Sequence, residues 1–119
     1  MITKGKARKA VKRWVWLVDW LGWNVTVYYV AQDEEMPDEC SENATAITFC
    51  NFGYLSADIY LKLSDLDKSN IDIVVVHELS HLLISPIDGE APQQNREYCA
   101  TTISKVLVSL DRSNNKKEG

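Results

Sequence analysis

The sequence predicts an α+β domain: an N-terminal helix, a small, mostly antiparallel three-stranded sheet, a long apolar helix and a C-terminal helix. Three observations carry this expectation. Apolar residues recur at helical spacing over residues 6–21. Three segments between residues 23 and 63 are rich in alternating, β-branched and aromatic residues, and two further helical stretches lie on either side of residues 85–92.

The first helix is set by Ala7, Ala10, Val11, Trp14, Val15, Leu17, Val18 and Leu21, with Gly22 as its stop. Its basic residues then line the outer face. Residues 23–30 follow as a strand in which Trp23, Val25, Val27 and Tyr29 share one side. The acidic stretch 32–43, with Pro37 and no apolar period, reads as a loop. Residues 44–49 and 57–63 read as two more strands, joined by a turn at Asn51-Phe52-Gly53. Ser69 or Asn70 caps the fifth element, a helix with Asp72 in its first turn that runs to about Ile84, where Ser85-Pro86 ends it. Pro92 opens a last helix reaching about Leu110. One domain over residues 1–110 with a polar, disordered tail over 111–119 is the expected organisation.

Charge and cysteine usage narrow the function classes. The net charge is −4, which argues against a dedicated nucleic-acid binder, although six of the thirteen basic residues (Lys4, Lys6, Arg8, Lys9, Lys12 and Arg13) precede Trp14. That run reads as a solvated helix face. Three cysteines, Cys40, Cys50 and Cys99, give no disulfide framework and fit a reducing compartment. No apolar run approaches the ~20 residues of a membrane span, and the N-terminus reads poorly as a signal peptide. A cytoplasmic location, without membrane or nucleic-acid partners, is expected.

Residues 77–81, His-Glu-Leu-Ser-His, are the segment that names a chemistry. On a helix, residues four apart lie one turn above each other, Cβ atoms about 5–6 Å apart, so His77 and His81 can converge on one Zn²⁺. Glu78 then stands beside the metal, in reach of a zinc-activated water, as general base. The chain has only two histidines. Composition alone would place them four apart, with a Glu after the first, in roughly one shuffled sequence per thousand.

A catalytic zinc site normally has three protein ligands, and with no third histidine the downstream carboxylates Asp88, Glu90 and Glu97 are the candidates, while Cys99 could in principle ligate as thiolate. Glu97 is the choice because it lies inside the last helix, one to two turns from its start, where an antiparallel pair brings it level with His81. Asp88 and Glu90 remain alternatives in the intervening loop. Thr101, one turn beyond Glu97, can support that carboxylate or a histidine.

The segments Val76-His77-Glu78-Leu79-Ser80-His81-Leu82-Leu83 and Glu97-Tyr98-Cys99-Ala100 resemble the small gluzincin metallopeptidases, including minimal gluzincins and the peptidase domains of phage and prophage regulators of the ImmA/IrrE type. The resemblance covers residues 6–110 in layout and two short segments in sequence. It implies a zincin-like fold, zinc held by His77, His81 and Glu97, and peptide hydrolysis with Glu78 as base and acid, in the host cytoplasm if the protein is phage-encoded. It also implies that the strand at 57–63 offers a free edge to an extended peptide or protein substrate. The competing expectation is a catalytically silent zinc-binding interaction or regulatory protein of phage type.

Other residues have plainer readings. Trp14 and Trp23 are expected in the core, with Trp16 and Trp20 packed at its edge, and Cys99 is expected to face the core. Tyr54, Tyr60 and Tyr98 are candidates by type alone for the donor that a zinc peptidase aims at its developing oxyanion.

Overall fold

A computed structural model of the chain describes residues 1–31, 36–37, 44–51, 53–88 and 93–118. Most of the acidic stretch 32–43, including Cys40, and residue Glu90 lie outside them. The described residues form a mixed α+β arrangement of four helices and one three-stranded sheet.

Helix α1, Lys4–Trp14, is capped by Thr3, whose Oγ1 accepts from Lys6 N at 3.3 Å. It buries Ala7, Ala10 and Trp14 and turns its lysines and arginines to solvent. Val15 interrupts the expected single helix but keeps a helical backbone (φ −62°, ψ −20°), and α2, Trp16–Asp19, continues from it. Gly22, at φ +92°, turns the chain into the sheet in a left-handed conformation that a Cβ would oppose. Trp14 and Trp23 are buried as expected, whereas Trp16 and Trp20 are 57% and 74% exposed. The core therefore takes two of the four indoles and leaves the others to solvent.

The three expected strands are present as β1, Asn24–Val30, β2, Ala46–Asn51, and β3, Ser56–Lys62. Their order is not a meander. β3 is central, parallel to β1 and antiparallel to β2. β2 follows β1 in sequence but lies at the opposite edge, with β3 between the two. Two corrections follow: only one of the two pairings is antiparallel, and the 57–63 segment has no free edge. Within that turn Asn51 Oδ1 accepts from Tyr54 N at 3.2 Å, and Leu55 sits at φ +51°.

Alternation divides the sheet into two faces. Ala57, Ile59 and Leu61 turn inward to the core, with Val25, Val27 and Tyr29 packed against it. On the outer face Tyr28 stacks on Tyr60 with centroids 4.7 Å apart, and Phe49 meets Tyr60 edge-on at 6.0 Å.

Helix α3, Ile71–Asp88, is the central element, packed against α1, α2, β2 and α4. It buries Ile71, Val75, Val76, Leu79 and Leu82, which is why its apolar residues run almost all round it. Asp72 in its first turn accepts from Trp14 Nε1 at 2.9 Å, tying α1 to α3. The helix continues two residues past Pro86, because a proline this close to the end removes only one backbone donor. Asp88 is thus the last residue of α3 instead of a loop residue. α4, Gln93–Glu118, also runs beyond the expected end at Leu110, so the 111–118 segment expected to be disordered is helical. Arg13 pairs with Asp111 within it, joining α1 to α4. Among the described residues no helix is long and apolar enough to cross a membrane.

Small side chains are buried where α3 and α4 pack: Ser80 on α3 and Ala100 and Ser104 on α4. Both hydroxyls are satisfied locally, Ser80 Oγ donating to Val76 O at 2.7 Å and Ser104 Oγ to Thr101 O at 2.9 Å. Ala100→Leu would force a larger side chain into a position with no exposure. Overpacking of this kind costs about 1–3 kcal/mol. The expected result is a lower urea midpoint at unchanged slope.

Candidate metal centre

The motif helix does locally what its spacing requires. His77 and His81 lie one turn apart on α3 with ring centroids 5.0 Å apart and planes inclined by 74°. Both are about one-fifth exposed, so they border the core but open onto a cleft. α4 packs on α3 and brings Glu97 between them. His77 Nε2 lies 2.9 Å from Glu97 Oε2, and His81 Nε2 lies 3.2 Å from Glu97 Oε1. One ligand atom from each of the three can be chosen so that all lie within 4.8 Å of one another.

Two imidazole nitrogens and a carboxylate oxygen are a donor set suited to zinc, and tetrahedral bonds of 2.0–2.1 Å would separate neighbouring donors by about 3.3 Å. The residues present therefore fit a metal ion with small side-chain adjustments. Thr101 Oγ1 lies 3.4 Å from His77 Nδ1. If His77 Nε2 held a metal ion, the ring proton would sit on Nδ1 and Thr101 Oγ1 would be placed to accept it, which would fix the tautomer.

Glu78 is separate from this trio. It is only 7% exposed, and Thr48 Oγ1 on β2 donates to its Oε1 at 2.9 Å. Burial pushes its carboxyl above the usual carboxylate range, with Glu97 acting in the same direction, while the Thr48 hydrogen bond and His77 oppose the rise. Sequence reasoning missed Thr48. Nothing in its strand distinguishes it from other threonines, and its role comes from β2 lying across α3.

These residues line a cleft of about 590 Å³ between β2, α3 and α4, which also contains Ile47, Cys50, Arg96 and Ser104. Arg96 was likewise not singled out by the sequence, although it directly precedes Glu97. The three tyrosines proposed as oxyanion donors are absent from the lining. Tyr54 and Tyr98 are 84% and 72% exposed, and strand alternation sends Tyr60 to the outer face of the sheet, opposite to Thr48. Cys99 is exposed instead of core-facing, because the buried stripe of α4 passes through Ala100, Ser104 and Val108. Of the alternative ligands, Glu90 falls outside the described residues and Asp88 closes α3.

No protein-family model, curated protein or solved structure matches this chain.

Proposed function

We propose that the protein is a zinc-dependent metallopeptidase of zincin-like, gluzincin type, in which His77, His81 and Glu97 hold the ion and Glu78 is the general base and acid. The observation that carries this reading is the fourth group. Glu78 shares the cleft with the ligand trio without belonging to it, is nearly buried, and is oriented by Thr48. A purely structural metal site has no use for such a carboxylate, whose burial is costly.

Zinc, when bound, supplies Lewis acidity that polarises a substrate carbonyl and acidifies a water. The chain's own residues do the rest. Glu78 takes a proton on its carboxylate as water attacks the scissile carbonyl and returns it to the leaving amine. Thr48 holds Oε1, which leaves Oε2 to carry that proton. Thr101 keeps His77 in the tautomer that presents Nε2.

Substrate positioning falls to β2. Among the described residues it pairs with β3 on one side only, and Thr48 on the same strand lines the cleft. An extended peptide is proposed to add along β2, in place of the 57–63 segment inferred from the resemblance.

The test is metal analysis followed by a peptide-library cleavage assay. One zinc per chain, cleavage that chelator removes, and recovery on adding zinc are expected; a protein that binds no metal would overturn the reading. A silent zinc-binding interaction protein is the second reading, favoured by the exposed Trp16 and Trp20, side chains often found at interfaces. It predicts stoichiometric zinc with no cleavage of any library member.

A further inference from the structure

Arg96 lies in the first turn of α4, directly before Glu97, and lines the cleft that holds His77, Glu78 and His81. The chemistry proposed above gives it no task. Its Nε is buried and has no hydrogen-bond partner. A guanidinium presents five donors in a rigid fork, and a buried donor left without a partner is costly. The neighbouring carboxylates do not relieve it. Glu97 is engaged by His77 and His81, and Glu78 by Thr48. No ion pair joins Arg96 to a described carboxylate.

A guanidinium that lines a ligand cleft, with its Nε unsatisfied and no ion pair to a described carboxylate, is a receptor for a planar anion. Arginine pairs with carboxylates through two parallel N–H···O bonds, which a neutral peptide group cannot match. We propose that Arg96 is a specificity-determining residue that binds a carboxylate of the ligand, making the cleft selective for peptides with an anionic group. That group is either an acidic side chain or the peptide's terminal carboxylate. The peptide nature of the ligand rests on the function proposed above; the anion recognition does not require hydrolysis.

Binding, measured apart from turnover, tests this. The probes are one neutral six-residue peptide blocked at both ends, the same peptide with a free terminal carboxylate, and blocked versions with Asp or Glu at each position in turn. Each is titrated by calorimetry into Glu78→Gln protein, with and without zinc, carrying Arg96, Arg96→Gln or Arg96→Lys. Melting curves first establish that the variants fold.

At least one carboxylate-bearing peptide should bind Arg96 protein about 10–100-fold more tightly than the neutral one, as charge-assisted hydrogen bonds allow. Arg96→Gln should erase that difference while leaving the neutral peptide within about 2-fold, and Arg96→Lys should keep part of it. Preference for the free terminus alone identifies the terminal carboxylate, and preference for one internal position identifies an acidic side chain. Lack of any carboxylate preference, including lack of any binding, overturns the assignment. So does a preference that survives Arg96→Gln, or an equal loss for neutral and anionic peptides, which would place Arg96 against the peptide backbone. If the preference holds while wild-type protein with zinc cleaves nothing, hydrolysis fails and the anion site stands. If neutral peptides are cleaved as readily as anionic ones and Arg96→Gln changes nothing, the reverse is true.

Discussion

Glu78→Gln is expected to lower peptide hydrolysis by about 10²–10⁴-fold, the usual worth of a positioned general base, while zinc stoichiometry stays unchanged. The amide keeps the size of the side chain and can still accept from Thr48, but it cannot take a proton from water. The same variant should be more stable than wild type in the metal-free state at pH 7. Burial raises the folded carboxyl's pKa above its unfolded value near ~4.3, so the folded state binds this proton more tightly than the unfolded state does. The stability it contributes is full below the unfolded pKa and is lost as pH rises through the folded pKa. Glutamine has no such dependence. The melting temperature of the metal-free variant should therefore exceed that of wild type at pH 7, with the two converging towards pH 4. Calorimetric scans across that range, beside a cleavage assay, check both parts. Full activity in the variant would remove Glu78 from the mechanism, and a lower melting temperature at pH 7 would show that its charge stabilises the metal-free fold.

Glu97→Ala has the second large expected effect. Its two carboxylate oxygens lie 2.9 and 3.2 Å from the two histidine Nε2 atoms, so its removal leaves two imidazoles and takes away the anionic ligand that offsets a divalent cation. Loss of a partner that merely orients a ligand costs about 10–100-fold in metal affinity. Loss of Glu97 should therefore cost at least about 100-fold. Asp88→Ala and Glu90→Ala should retain zinc at a free-metal concentration where Glu97→Ala has lost it, as read by competition with a chromophoric chelator. The opposite ranking would move the third ligand to the end of α3 or to the segment after it, leaving the histidine pair in place.

The sequence by itself determined what depends on near neighbours. Helical periodicity is a property of residues three and four apart, so His77 and His81 had to share a face once the apolar run around them formed a helix. The same local logic located three strands, the turn after Asn51 and the burial of Trp14 and Trp23. It also placed Glu97 in the helix that follows, from which packing brings it to the histidines.

Only the tertiary structure decided which strand lies between the others. All three strands have an apolar face, and a strand's own residues do not state its partners; pairing is settled by which inner faces the rest of the fold covers. That choice put β2, not the 57–63 segment, beside the cleft, supplied Thr48 to Glu78 and turned Tyr60 away. Helix ends were also decided at a distance, since α4 gains an ion pair with Arg13 beyond its expected end. Arg96 shows the limit most clearly. A charged residue near a helix start ordinarily reads as solvated, and only the packing of α4 on α3, with β2 across the cleft, makes its position a cleft wall and its unsatisfied Nε part of a candidate receptor.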